Sequence, residues 1–395
     1  MSATVRWIGA GVLVALAATV PLIQRELPYV FDGAISSPGV LNLLALMLVF
    51  GALAITYDLL FGFTGLLSFG HALYFAVGVY GTAIAMDTFE LGLGGAVLVV
   101  IGLGIVVPTI LGLVCLRGGD IAFAMVTLAF AQAGAIFVAR DPFKITGGEL
   151  GQALAFRQLP DAFVGVVNTK NLYWLALALV VFVYAVARIA VNSPTGRVWQ
   201  GIRENEQRVE VLGLRPASYK LAVFVLASFL ASLCGVVYVL VVGGAHAGIT
   251  VATFTLTLLV MVVLGGAGRL WGAMLGGMLY TYLDNRLGEL STQPELQDMP
   301  AVIRVPISEP TFLLGLLFVI IVLFFPGGIA GALTKRRWPL AGPLGRRPSP
   351  DDPAYPAEAA GPEPVTAPRS EASGPSTANS TVTPEMAAVS GEVDR

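Results

Sequence analysis

Residue types that commonly carry chemistry are scarce in this 395-residue chain, which has two histidines and two cysteines. Cys115 and Cys234 lie inside apolar segments, away from other potential ligands. A metal site or redox pair needs several converging ligands, so both are interpreted as small buried residues. The sequence has no GxxxxGK[ST], HExxH or GxSxG motif. It therefore predicts neither an enzyme nor a phosphate-binding loop.

Charged residues interrupt the apolar chain most clearly at 192–216. Pro194 and Gly196 predict the end of one helix, and Gly213 and Pro216 mark a further stop. Between them, apolar residues recur at helical spacing: Val198, Ile202, Val209 and Leu212. We predict one short amphipathic helix over about 198–212. A helix lying on the bilayer is the alternative, but mixed acidic and basic residues better suit a groove on another protein.

A few polar residues fall within long apolar runs. Polar groups inside a membrane are costly and usually face the bundle interior or an aqueous path. Candidates for lining a translocation path are Thr64, Ser68, Gly70 and His71, with a packing role for the histidine as the alternative. Asp58 is expected to reach water at the end of its span. Asp120 is expected to cap a helix or to pair locally with Arg117.

The composition is that of a membrane protein. Hydrophobic residues make up 56% and charged residues 12%, with a mean hydropathy of +0.80, whereas soluble domains carry about 25% charged residues. We predict an all-α, polytopic transmembrane helical bundle of about ten spans, at 7–24, 39–60, 65–86, 92–116, 121–139, 172–190, 217–243, 252–267, 270–288 and 311–328. A cleaved signal peptide is the alternative for the first, and a broken or re-entrant span for the third.

The placement of lysine and arginine predicts the orientation. With the N-terminus inside, short inner segments hold Arg197, Arg203 and the cluster at 335–337, while most outer positive charges are diluted over two long loops. Both termini are then cytoplasmic, and the permease domain covers 1–333. Residues 334–395 are rich in Pro, Ala, Glu, Ser and Thr and are predicted to be a disordered cytoplasmic tail.

Glycines at helical spacing mark the later spans. Gly272 and Gly276 form a GxxxG motif, and Gly265, Gly266 and Gly268 precede it. Small residues at this spacing let helix backbones approach closely in lipid. We predict a packing role for these five, with pore-widening or hinge glycines left open as the alternative.

Four stretches, in order along the chain, resemble one known family. They are GFTGLLSFGH at 62–71; RGGD at 117–120 with TLAF at 127–130 and TGG at 146–148; GRVWQGIRENE at 196–206, ending in LG at 212–213; and VVLGGAGRLWG at 262–272. Together they are similar to ABC importer permeases of the branched-chain amino acid type, most closely the LivM-type subunit. The resemblance covers most of residues 40–330.

The resemblance implies a division of labour at the plasma (inner) membrane. A second permease subunit, identical or different, would complete the path in the lipid bilayer. Two ABC ATPase subunits would bind ATP and Mg, and an extracytoplasmic binding protein would contact the outer loops 140–171 and 289–310. This chain would be a transport subunit with no cofactor, no catalytic residue and no nucleic-acid partner.

The same resemblance makes 192–216 the coupling loop that docks the ATPase. Its docking residues would be Gly196, Arg197, Trp199, Ile202, Arg203, Glu204, Glu206, Glu210 and Gly213. Arg208 and Val209 depart from the two small residues usual in the family before Glu210. The local geometry of the contact is therefore open.

The resemblance suggests branched-chain amino acids as the substrate, and urea, short amides and aromatic acids are the alternatives that no residue excludes. The lack of strongly charged residues within the spans supports a zwitterion. A secondary transporter driven by an ion gradient would need acidic residues near mid-membrane, and the sequence places none clearly there. A channel is a further alternative.

Overall fold

The computed structural model describes residues 11, 14–22, 33–291, 309–324 and 327–334. Parts of the predicted first span (7–10, 12–13 and 23–24), most of the outer loop 289–310, and the tail beyond Thr334 lie outside the described residues. The predictions for those segments therefore stay predictions.

Within the described residues the fold is all-α, apart from one pair of two-residue strands. After a 3₁₀ turn at Val20–Leu22, the helices are α1 Pro38–Asp58, α2 His71–Asp87, α3 Leu93–Cys115, α4 Asp120–Arg140, α5 Thr169–Asn192, α6 Pro194–Glu204, α7 Glu206–Val211, α8 Pro216–Val242, α9 Ala252–Gly265, α10 Leu270–Ser291, α11 Pro310–Phe324 and α12 Gly328–Thr334. The strands are β1 Gln152–Ala153 and β2 Gly244–Ala245.

Five helices among the described residues are long and apolar enough to cross a membrane: α1 with its continuation to Thr64, α3, α4, α5 and α8. They match predicted spans to within a few residues. The predicted spans 252–267 and 270–288 correspond to α9 and α10, which meet at 119° and together form at most one broken or re-entrant span. The described residues thus contain five or six full-length spans, because α2 and α11, with 17 and 15 residues, are shorter.

The centre of the bundle is formed by α1 and α8. Helix α1 packs against α10, α5 and α8, and α8 also packs against α2 and α3. At the α2–α8 crossing, a Cβ on Gly78 would overlap the carbonyl oxygen of Ser232, so the backbones touch directly. In contrast, α3 turns large aliphatic side chains outward, including Leu98, Val106 and Ile110. An exposed row of this kind suits contact with lipid.

The third predicted span is interrupted at its start. Helix α1 continues as a π-helical turn, Leu59–Thr64, which ends at Gly65 in a left-handed conformation (φ 79°). The chain then runs without regular structure until α2 begins at His71. Non-helical backbone at membrane depth is tolerated where protein surrounds it. This short segment, residues 65–70, is called the interrupted segment below.

The loop after α4 is built around Asp141, which has φ 43°. Its Oδ1 accepts hydrogen bonds from the amides of Ile145 and Thr146 at 2.7 and 2.9 Å, and its Oδ2 accepts one from Gly147 at 3.0 Å. These bonds, the one from Thr146 foremost, hold the pKa of Asp141 below its usual value.

The remainder of this loop is anchored to the ends of α2 and α8. Strand β1 pairs antiparallel with β2, with Gln152 opposite Ala245. The Gln152 Nε2 atom also donates a 2.7 Å hydrogen bond to Asp87 Oδ2.

Candidate functional site

Two short helices, α6 and α7, connect α5 to α8 and are called the connecting segment. Ser193 caps α6, since its Oγ accepts a 3.1 Å hydrogen bond from Gly196 N and Pro194 occupies the first turn. Asn205 then leaves helical geometry (φ −164°, ψ 105°) and caps α7 by accepting a 2.9 Å bond from Arg208 N. The prediction of one helix over 198–212 is therefore wrong. The asparagine ends one helix and starts another.

The apolar side of the connecting segment faces its own bundle. Trp199 is 3% exposed and donates from Nε1 to the carbonyl of Tyr219 at 3.0 Å, and Ile202 and Val209 are also buried. Gly196 lies so close to the end of α5 that a Cβ there would overlap the carbonyl oxygens of Ala190 and Val191. Residues that were expected to contact another protein thus fasten the segment to this one.

The exposed apolar residues of the segment are different ones. Val211 is 87% exposed and Leu212 is 74% exposed, at the end of α7. Of the predicted stripe, therefore, only Leu212 projects fully outward. The polar docking candidates Arg197, Arg203, Glu204, Glu210 and Gly213 are exposed and Glu206 is half-buried.

Arg203 joins the connecting segment to the interior of the bundle. Its Nη1 donates to the carbonyl of Gly62, in the π-helical turn after α1. Its Cγ would lie 3.2 Å from a Cβ on Gly65, and its Nη1 3.0 Å from one on Gly268. One guanidinium therefore touches both the π-helical turn and the bend between α9 and α10.

Asp58 completes this junction from inside. It was expected to reach water, but its side chain is fully buried. Oδ1 accepts a 2.7 Å hydrogen bond from the amide of Gly268, and the carboxylate interacts electrostatically with Arg203. A Cβ on Gly62 would overlap Asp58 Oδ1, so glycine is what permits this approach. Arg203, Gly62, Asp58 and Gly268 together are called the junction.

A second ionic contact holds α7. Lys220, on the first turns of α8, is buried and places Nζ 2.7 Å from Glu206 Oε2 and 2.9 Å from Asp120 Oδ1. The expected local pairing of Asp120 with Arg117 is therefore replaced by a bond to a residue far along the chain. A polar pocket of about 220 Å³ lies beside it, lined among others by Thr64, Arg203 and Lys220.

The four path candidates meet around the interrupted segment, and all of them are buried. His71 Nε2 and Thr56 Oγ1 share a 2.9 Å hydrogen bond, and Thr64 Oγ1 donates to the Leu59 carbonyl at 3.0 Å. Gly70 N donates to Ser68 Oγ at 3.3 Å. The bonded polar atoms thus serve contacts inside one chain, whereas His71 Nδ1 is buried without a hydrogen-bond partner among the described residues. A path role for them stays a prediction.

The five packing candidates lie at the bend between α9 and α10. A Cβ on Gly265 would overlap the Gly272 carbonyl, and one on Gly276 would overlap the Met261 carbonyl. Gly266 and Gly268 have φ 106° and 79°, and they form the turn itself. The turn delivers the Gly268 amide to Asp58.

Sequence reasoning missed the junction and the Lys220 contact, and only the burial of Asp58 had a signal in the sequence. An aspartate followed four residues later by glycine, inside an apolar span, is unusual enough to demand a buried partner. The described residues bring together no group of three or more His, Cys, Asp or Glu side chains suited to a metal.

Comparison with known proteins places this arrangement in a family. Residues 39–325 match the family model described as branched-chain amino acid transport system / permease component. The chain is 27% identical over 270 residues to the high-affinity branched-chain amino acid transport system permease protein LivM of Escherichia coli, a match that covers 62% of each chain. It is 28% identical over 288 residues to the probable LivM protein of Methanocaldococcus jannaschii, covering 69% of this chain and 77% of that one.

A ribose import permease protein, RbsC of Haemophilus influenzae, is 25% identical over 241 residues, covering 58% of this chain and 72% of the relative. The chain spans less than two thirds of the length of the Escherichia coli relative. The family model, however, spans most of the present chain. The chain therefore belongs to the family of branched-chain amino acid transport system permease components.

Proposed function

We propose that this chain is the transmembrane permease subunit of an ATP-driven importer, and that separate ABC ATPase subunits dock on the connecting segment. The observation that carries the docking site is the exposed pair Val211 and Leu212, on a segment otherwise fastened firmly to the bundle. An ATPase that closes on this segment pushes against a rigid element, and Trp199 and Arg203 pass the movement inward.

The proposed assembly has a second permease subunit, two ATPase subunits that bind ATP and Mg, and an extracytoplasmic binding protein. Branched-chain amino acids are the proposed substrate, supported by the similarity to the LivM relatives. A relative named as a ribose import permease supports keeping other cargo among the alternatives. Urea, short amides and aromatic acids stay as alternatives for the uptake assay.

Docking is tested by placing charge on the exposed apolar pair. Val211→Asp with Leu212→Asp is expected to abolish co-purification of the co-expressed ATPase, because two carboxylates would have to be buried in the contact. Leu150→Asp is the matched control, since Leu150 is 94% exposed in the loop beyond the far end of α4. Unchanged co-purification in the double variant would place the docking site elsewhere.

One observation favours a second candidate function, an ion-driven secondary transporter. Asp58 is a fully buried carboxylate at the end of α1, and such groups carry protons or sodium in transporters of that class. Against it, Asp58 is held by Gly268 N and Arg203 in a structural junction. Uptake that follows an imposed ion gradient, ignores ATP and disappears in Asp58→Asn would establish this alternative.

A further inference from the structure

Lys220 occupies a position between three separate elements, and we propose that it is a positioning residue that transmits movement of α7 to α4. The proposal rests on the proposed function only for its direction: an ATPase moves the connecting segment, and α4 follows. The structural linkage itself can be tested without any partner.

Lys220, on α8, forms ion pairs with residues of both α7 and α4. Its side chain is 10% exposed, and Nζ lies 2.7 Å from a carboxylate oxygen of Glu206 and 2.9 Å from one of Asp120. Glu206 is the first residue of α7 and Asp120 the first residue of α4. The ammonium is shielded, whereas the Asp120 and Glu206 side chains are 68% and 37% exposed, and it donates a hydrogen bond to each carboxylate. A displacement of either carboxylate is therefore felt by the other.

The end of α4 is otherwise lightly held. Gly118 and Gly119 precede it, and a Cβ on Gly119 would meet nothing within 4 Å. Ile121 is 84% exposed. Besides Lys220, Phe123 contacts the bundle at this end, where its ring lies edge-on to Phe224 at 5.6 Å. A helix end that is preceded by two glycines and joined to Lys220 through Asp120 can tilt when Lys220 moves.

Two turns further along, α4 touches the interrupted segment. Thr127 Oγ1 accepts a 3.2 Å hydrogen bond from Phe69 N, and a Cβ on Gly70 would lie 2.8 Å from the Thr127 carbonyl oxygen. A tilt of α4 must change this contact, because the Gly70 backbone packs directly against Thr127 and no side chain lies between them. Gly70 is itself a path candidate, and two others, Ser68 and His71, flank Phe69 and Gly70 in the chain. Glu206, Lys220, Asp120 and Thr127 therefore form a continuous route inward.

The first experiment measures ATP hydrolysis and substrate uptake on the same reconstituted complexes. Lys220→Gln is expected to lower uptake per ATP hydrolysed by roughly two- to thirtyfold, the range for residues on a coupling route. Lys220→Arg, which keeps the charge, restores most of it. If hydrolysis and uptake fall in proportion, or neither changes, Lys220 has no transmitting role and the proposal is overturned. Wild-type complexes without ATP-dependent uptake would refute the proposed function instead.

The second experiment uses the isolated chain and does not depend on transport. Hydrogen exchange at the start of α4 is compared in Glu206→Gln, Asp120→Asn and the double variant. If Lys220 links the two carboxylates, Glu206→Gln alone raises the exchange rate at the start of α4. In the double variant this rate is then only slightly higher than in the single variant with the larger effect. The proposal is overturned if Glu206→Gln leaves α4 unchanged or if the two effects simply add. The hydrogen-exchange experiment also tests the proposal if the Lys220→Gln variant does not assemble with its partner subunits.

Discussion

Gly62→Ala tests the junction most sharply. A Cβ at this position would overlap Asp58 Oδ1 and would come against the Gly268 amide, so the hydrogen bond between them must break or the bend between α9 and α10 must move. Overpacking a tight core contact costs about 1–3 kcal/mol. Losing a hydrogen bond to a buried carboxylate adds about 1.5–3 kcal/mol.

The helix preference of alanine offsets part of this cost. Alanine favours helical backbone over glycine by about 0.5–1 kcal/mol. The expected loss in free energy of unfolding is therefore about 2–5 kcal/mol, combining the overlap and the hydrogen-bond loss. Because stability totals only about 5–15 kcal/mol in typical domains, a loss of this size is readily measured.

The assay is reversible SDS titration in mixed micelles, with Gly102→Ala as the matched control. Gly102 lies in α3, and a Cβ there would meet nothing within 4 Å. The control is expected to be unchanged or stabilised by up to about 1 kcal/mol. If Gly62→Ala behaves like the control, the close packing of Asp58, Gly62 and Gly268 does not contribute to stability and the junction is refuted.

Three further predictions concern single contacts. Gly196→Ala should cost about 1–3 kcal/mol of stability and weaken ATPase co-purification, because its Cβ overlaps two α5 carbonyls; wild-type thermal stability would contradict this. Trp199→Phe should cost about 0.5–1.5 kcal/mol by losing the bond to the Tyr219 carbonyl, measured by the same titration, and no loss would mean that water replaces the bond. The folded-state pKa of Asp141 lies below its unfolded value, so the order of its loop is present at neutral pH and lost as the pH falls through the acid range. Hydrogen-exchange protection at Thr146 should show this loss, and in Asp141→Asn protection should be lower at neutral pH and insensitive to acid; identical profiles would contradict it.

The positions of the spans could be predicted because each is a long apolar run with polar punctuation. The boundaries of α3 and α8, for example, lie within two residues of the predicted ones. The bend between α9 and α10 could not be obtained in this way. Gly265, Gly266 and Gly268 indicated close packing, but the 119° angle between α9 and α10 depends on contacts with distant elements.

The connecting segment shows a different limit of prediction from sequence. Helical periodicity identified the apolar stripe, yet periodicity cannot say what covers it, and Ile202 and Val209 turned out to face the bundle. The break at Asn205 had a local signal, an asparagine followed at once by glutamate, which is typical of a helix start. The partners of Asp58 and Lys220 had no local signal, since Gly268 and Asp120 lie far away in the chain.

The central claim is that ATP drives transport through subunits docked on the connecting segment. The most direct measurement is uptake of radiolabelled leucine into proteoliposomes that contain this chain, its partner permease and ATPase subunits, with the binding protein outside and ATP trapped inside. The account predicts uptake that requires internal ATP and is lost when Val211 and Leu212 are both replaced by aspartate. Uptake that persists without ATP and follows an imposed proton or sodium gradient would contradict it.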